Sequence, residues 1–406
     1  MLLRITLSQG QAMHVSKIVH QLLKATIHKT RITTLSILVE GVIDCKALKL
    51  TLLGRHIKIK GKECSGINRV DRFLGNPFYQ TQSIAIYRAI SHHAMSGLLT
   101  PLLIVDWSSI PGSHLTRAGE HCLLRASLAA QGRSITVYEE VHPKSKEGNT
   151  KVHQTFLSRL KSLVSVDSKP CIVTDAGFKN PWFKAVLALG WNYIGRLNGA
   201  VHYDDGTGFK PLSALFEHAT SKPQAAGSVI VAKTNPLTTK IYLYKKPAKR
   251  RKHRGKTGKI LTNKQSRKQA KSHSEPWILT SSLTGNHIEE LIINYYKLRM
   301  TIEESFRDTK SQYYGLSLNE NVTLNVKRYI VWLLLAALAT FIAWIVGYTA
   351  EKLKLHYDFQ ANSYRHRRVL SFFFLGCQVI RKRIKFQINI EDIQRNNWGI
   401  LMDRKR

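Results

Sequence analysis

Acidic residues are scarce in this chain. Its 406 residues hold 26 Asp and Glu against 62 Lys and Arg, a formal charge of +36. Such a surplus opposes compact folding unless a polyanion shares the charge. Nucleic acid is therefore the first partner to consider and an anionic membrane surface the second. Cysteine is also sparse: Cys45, Cys64, Cys122, Cys171 and Cys377 include no CxxC pair. That argues against a zinc ribbon and a disulfide framework, and it suits a reducing cytoplasm. The 17 histidines form no HxxxH or HxH cluster, so no zinc is assigned. The first residues lack a basic region followed by a continuous apolar one, the pattern of a signal peptide. Internal repeats are absent as well.

Long hydrophobic runs are missing with one exception. "YIVWLLLAALATFIAWIVGYTA", 329–350, holds 22 residues without a charge. By length and hydropathy it suits a bilayer span or a fully buried core helix equally well. Nothing else in the chain resembles a membrane span, and basic residues crowd both flanks. A central helix buried by other helices or by a second subunit is expected, with no membrane as partner.

Residues 1–98 carry 14 basic and 4 acidic residues. Apolar positions recur at helical spacing in "VSKIVHQLLKATI" and "SIAIYRAISHHAM", around a basic, glycine-punctuated stretch. A small helical DNA-binding domain or a plain cationic bundle fits. From Pro101 the pattern changes to strand, strand, strand, helix, strand, helix, the order of a mixed α/β sheet. This segment, 99–198, includes two strands around a Gln-Gly-Arg-Ser turn. Residues 199–285 interrupt that order as a β-rich insertion. At its centre 245–273 forms a basic loop; its first 27 residues hold 13 Lys and Arg and no acid, which cannot pack a core. Residues 286–328 carry a last helix of the core. In 329–406 basic residues from Arg365 to Lys385 interleave with Phe372, Phe373 and Phe374. That composition suits a helical region for self-association and DNA contact.

The stretch "YYKLRMTIEESFRDTK", 295–310, concentrates charge. Read as one helix, Tyr296, Arg299, Glu303 and Lys310 fall within an arc of about 60°, and Glu304 lies about 100° off that face. On spacing alone this is also the pattern of a solvated charged stripe. Two apolar runs, "PLLIVDWSSI" and "KPCIVTDAGF", each end in an aspartate, Asp106 and Asp175. Strand ends often carry Asp for turn reasons. If the two strands are neighbours, their carboxylates repel unless a cation sits between them. Mg²⁺ is the natural choice, because it takes hard oxygen ligands and keeps positions for water or phosphate. Glu303 on the same edge would complete a three-carboxylate site. Two such ions can clamp the attacking and leaving oxygens of a phosphoryl displacement, while Arg299, Tyr296 and Lys310 hold phosphates.

The Y-x2-R-x3-E-x6-K spacing filled by Tyr296, Arg299, Glu303 and Lys310 resembles the signature of bacterial insertion-sequence transposases with an Asp-Asp-Glu triad. "VDWS", "VTDAGF" and "DRFLGN" resemble further motifs of that group, and the likeness is closest to its cut-and-paste, hairpin-forming members. The resemblance implies an α/β fold, a ribonuclease H-like mixed sheet with a β-rich insertion, flanked by helical amino- and carboxy-terminal domains. It implies catalytic Asp106, Asp175 and Glu303 holding two Mg²⁺, with Mn²⁺ substituting. It also implies double-stranded DNA, both transposon ends and target, as partner, and a homodimer in a synaptic complex in a bacterial cytoplasm at the nucleoid. Trp277 in "EPWILTSSL" matches the tryptophan that stacks a flipped base while a hairpin forms, although from sequence it also reads as a core aromatic. Three alternatives stand beside this reading. They are a non-cleaving DNA-binding regulator of transposon ends, a cationic membrane-associated protein, and a nuclease that hydrolyses without joining.

Overall fold

The computed structural model describes residues 4–5, 15–110, 121–130, 132–247, 275–321, 323, 325–364 and 366–389. The chain divides into two compact units, Met1–Ser168 with Met300–Arg406, and Lys169–Arg299. The expected segments 1–98 and 329–406 both fall in the first unit.

The first unit opens with a short strand, β1 (Arg4–Ile5), and six helices: α1 (Val15–Leu23), α2 (Lys29–Cys45), α3 (Leu50–His56), α4 (Glu63–Leu74), α5 (Pro77–Thr81) and α6 (Ser83–Met95). In α1 the buried positions Val15, Ile18, Val19 and Leu22 repeat at i, i+3, i+4 and i+7, so one apolar stripe faces inward. Strands β2 (Leu102–Ser109), β3 (His121–Ala129) and β4 (Ser134–Pro143) follow as an antiparallel sheet with β3 in the middle. Every residue of β3 after His121 is buried, as a central strand requires. Helix α7 (Thr150–Lys161) starts where the Asn149 side chain accepts from the amides of Lys151 and Val152 at 3.0 and 3.2 Å.

The second unit is a seven-stranded mixed sheet. Its strands are β5 (Cys171–Thr174), then β6 (Asn192–Arg196) after helix α8 (Asn180–Ala188), β7 (His202–Asp204), β8 (Phe209–Pro211), β9 (Gln224–Val231), β10 (Leu237–Tyr244) and β11 (Trp277–Ser281). Their spatial order is β5-β6-β11-β10-β9-β7-β8, with β5 and β6 parallel and the other neighbours antiparallel. Helix α8 is the crossover that a parallel pair needs. Its Phe183 stacks on Tyr193 of β6 at 4.7 Å. Five of these strands, β7 to β11, fall in the segment 199–285 expected as a β-rich insertion. Residues 248–273 of its expected basic loop lie outside the described residues. Helix α9 (Ile288–Lys297) closes the unit.

The chain returns to the first unit with α10 (Met300–Lys310), α11 (Val326–Lys352), α12 (Phe372–Arg381) and β12 (Ile388–Asn389), which pairs antiparallel with β1. Helix α11 contains the long apolar run. It is apolar on all sides and almost wholly buried, packed against α12, α2, β4 and α6.

Two readings need correction. The helix expected to run unbroken from Tyr296 to Lys310 is two helices. The Leu298 and Arg299 amides bond three residues back, to Tyr295 and Tyr296 carbonyls, and this tight turn ends α9. The halves are anchored separately: Tyr296 packs on Trp277 in the second unit, and Thr301 and Ser305 bond to strands of the first. The shared helical face therefore holds only for Glu303 and Lys310. Second, Asp106 does not end its strand. Strand β2 continues to Ser109, because Trp107, Ser108 and Ser109 still pair with Leu124, Leu123 and Cys122. The apolar run stops at Val105, but the backbone ladder does not.

Candidate functional site

In the second unit, β5 is buried throughout and delivers Asp175 at its carboxyl end. Asp175 Oδ1 accepts the Gly177 amide at 2.9 Å, so the turn orients the carboxylate. A Cβ on Gly177 would stand 3.1 Å from that oxygen. Glycine there keeps the carboxylate uncrowded.

Strand β6 runs parallel to β5 with Gly195 opposite Thr174, so Arg196 and Asp175 follow at the same sheet edge. Tyr296 of α9 is buried. Burial chiefly pushes its hydroxyl pKa up; the nearby Arg299 and Arg196 cations pull it down, and the Asp175 charge pushes it up. Asp175, Arg196, Tyr296 and Arg299 therefore form one electrostatic cluster.

Trp277 stands half-buried at the start of β11 beside the same tyrosine. Its ring meets Tyr296 edge-on at 4.8 Å, lies 5.6 Å from Tyr244, and carries the Lys246 ammonium 3.9 Å over its face. Arg196 was missed by sequence reasoning. A basic residue closing the apolar run "YIGR" one strand after Asp175 was its only signal.

In the first unit, Asp106 lies inside β2 and its Oδ1 accepts the Trp107 amide at 2.8 Å. The Trp107 ring packs near His142 and His153, and its Nε1 donates to His153 Nε2 at 3.1 Å. Burial pushes the His153 pKa down to about 4, which keeps that nitrogen an acceptor. Helix α10 packs on β2, β3 and β4. At its end Lys310 Nζ donates to Ser108 Oγ at 2.7 Å and to the Ser109 carbonyl. That cation therefore stands two and three residues along the strand from Asp106. Burial pushes its pKa down to about 8, with the Arg125 charge adding to the shift and Glu139 opposing it.

Seven residues earlier, Glu303 is exposed. Its neighbour Glu304 is held by Arg133, which also donates from Nε to Asp308 at 2.7 Å. Among the described residues no group of three or more His, Cys, Asp or Glu could hold a metal ion. The structure places Asp106, Glu303 and Lys310 in the first unit, and Asp175, Tyr296, Arg299 and Trp277 in the second.

A second feature is a groove in the amino-terminal segment. Arg31, Lys58, Lys60, Arg69 and Arg72 line a cavity of about 850 Å³ whose wall includes Tyr79. Arg31 lies over the Phe78 ring at 3.6 Å, and Lys58 pairs with Glu40 at 2.6 Å. Cations gathered at a concave surface suit a phosphate backbone.

The family model described as "Transposase DDE domain" matches residues 97–339, more than half of the chain. The match spans both aspartates and the whole stretch from Tyr296 to Lys310. No curated protein matches the chain.

Proposed function

The chain belongs to the transposase DDE domain family, and from this we propose a cut-and-paste transposase that cleaves transposon ends through a DNA hairpin and joins them to target DNA. Asp106, Asp175 and Glu303 are the catalytic carboxylates. The observation that carries this reading is the setting of Asp175: Arg196 follows at the neighbouring strand end, and the buried Tyr296, with Arg299 5.9 Å from its ring centre, feels the Asp175 charge. Carboxylate oxygens are the donors a hard divalent cation takes, and the side-chain-free Gly177 keeps Asp175 open to one. Bound Mg²⁺, two ions with Mn²⁺ able to substitute, would neutralise charge building on the phosphoryl oxygens.

The protein's own side chains hold and orient the strand. Arg299 takes a phosphate in bidentate fashion, Lys310 as a point charge, and the Tyr296 hydroxyl donates to a phosphate oxygen. Trp277, braced by Tyr296 and Lys246, receives the flipped base that a hairpin bend requires. The attacking group is water in nicking and in hairpin opening, and a 3′-OH in hairpin formation and in joining, each displacing a 3′-oxygen from the phosphorus, so one set of residues serves all four steps. The groove at Arg69 and Arg72 contributes phosphate contacts to end binding. The active form is a homodimer pairing two ends in a bacterial cytoplasm.

Labelled duplexes copied from the DNA bordering the coding sequence, incubated with Mg²⁺, should yield hairpin products. Asp106→Asn should bind the same duplexes and cut none. A variant that keeps every activity of the parent would instead favour a non-cleaving regulator.

A further inference from the structure

A buried ion pair crosses the first unit's sheet beside Asp106. Arg125 on β3 stands opposite Asp106 on β2 and opposite Glu139 on β4. Directly opposed residues project from the same side of a sheet, so the three side chains form one row. Arg125 and Glu139 side chains are each 1% exposed. The guanidinium donates from Nε at 2.8 Å to Glu139 Oε2, with Nη2 2.7 Å from the same oxygen. The Tyr87 hydroxyl of α6 donates to Glu139 Oε1 at 2.9 Å. On its other side Arg125 Nη1 donates to Ser305 Oγ at 3.1 Å, and the guanidinium lies 4.6 Å from the Phe306 ring centre. Ser305 and Phe306 follow Glu303 by two and three residues on α10.

A buried ion pair is a weak device for stability, since apolar side chains of similar volume often serve as well. This one has a directional use. Ser305 and Phe306 point about 100° apart on the helix. The guanidinium bonds the first through Nη1 and lies over the ring of the second. Rotation or sliding of α10 breaks both contacts, whereas apolar packing alone would tolerate small slips.

We propose that Arg125 is a positioning residue for DNA cleavage: it locks the rotation and height of α10 over the strand that carries Asp106. Through Glu139 and Tyr87 it also ties that helix to α6 in the amino-terminal segment. The inference rests on the reading of Glu303 and Asp106 as catalytic carboxylates.

The test uses the full chain and the bordering-sequence duplexes above. The triple variant Tyr87→Phe, Arg125→Met, Glu139→Met removes the buried polar groups together and leaves no unpaired charge. It should melt near the parent temperature and bind the duplex within about threefold, yet cleave pre-bound duplex about 100-fold more slowly, the cost of a misplacement near 1 Å. Arg125→Lys should lie between the two. Cleavage within threefold of the parent in a folded triple variant would overturn the proposal. So would a loss of cleavage matched by equal losses in binding and melting temperature. If the triple variant does not fold, Ser305→Ala alone should slow cleavage about fivefold with binding unchanged, the effect of one lost hydrogen bond. An unchanged rate there would also overturn it. Glu303→Ala run in parallel separates the two readings. If it still cleaves, the catalytic assignment fails. If it is inactive while the Arg125 variants cleave normally, only the positioning role fails.

Discussion

Two adjacent glutamates lie on different faces of α10. Glu304 is paired with Arg133 and lies 3.9 Å from Arg307, while Glu303 shares a face with Lys310. With Glu303 as a catalytic carboxylate, as proposed, Glu303→Ala should cut single-turnover nicking by about 10³-fold or more. Glu304→Ala should cost at most about 1 kcal/mol of stability, the worth of a half-exposed pair, and leave nicking nearly intact. Equal losses in the two variants would refute the assignment.

Lys310 adds a pH signature. Its folded pKa of about 8 lies below the unfolded lysine value. Between that value and about 10.4 the unfolded chain binds more protons, so stability should rise with pH across this window. Lys310→Met should abolish the rise in urea midpoints. With Lys310 holding a phosphate, as proposed, cleavage at limiting protein should fall as pH passes about 8, because that contact loses its charge.

The proposed signature groups and both proposed aspartates were readable from short local patterns, all of them within the family match. Arg125 and Arg196 were not. Each is a lone cation within an apolar strand, and the contacts of Arg125 come from 14 and 180 residues away. The turn at Leu298 and Arg299 contains no Gly or Pro, so nothing in the spelling marked the break in the helix.

Among the elements, α11 shows where hydropathy stops and packing begins. Its sequence is equally apolar for a bilayer and for a core, and periodicity cannot separate them. What distinguishes it here is burial against α12, α2, β4 and α6, with α12 approaching backbone to backbone. A Cβ on Gly347 would stand 1.8 Å from the Phe372 carbonyl oxygen, and one on Gly376 would stand 1.8 Å from that of Ala343. Each helix thus offers a glycine to the other's backbone, and a side chain at either position forces the pair apart. Overpacking a close contact costs about 1–3 kcal/mol and here approaches the upper end, since backbone rather than a flexible side chain must yield. Gly376→Ala should lower the urea midpoint accordingly, while Ser371→Thr, which keeps the cap on the Phe374 amide, should not. An unchanged midpoint in Gly376→Ala would show that the helices are not in contact there. These glycines were invisible in the sequence, because their neighbours lie about thirty residues away and only the crossing of the helices brings them together.

For the whole molecule the dominant quantity is charge. At +36 the chain should bind duplex DNA of any sequence through counterion release, with affinity falling linearly on a log scale as salt rises. The groove lined by Lys60, Arg69 and Arg72 separates a local contribution from that general background. If it holds the phosphate backbone, each cation removed should lower the slope of log affinity against log salt by about 1. The double variant Lys60→Ala, Arg69→Ala should then lose about two units of slope, with affinity falling alike for bordering-sequence and unrelated duplexes. The same two charges moved to neutral from Lys184 and Lys222, exposed in the second unit, provide the control for net charge alone. Equal slopes in the two double variants would mean that the groove takes no more phosphate than any other part of a cationic surface. A larger fall for the groove variant would place DNA against α4 and the segment before it.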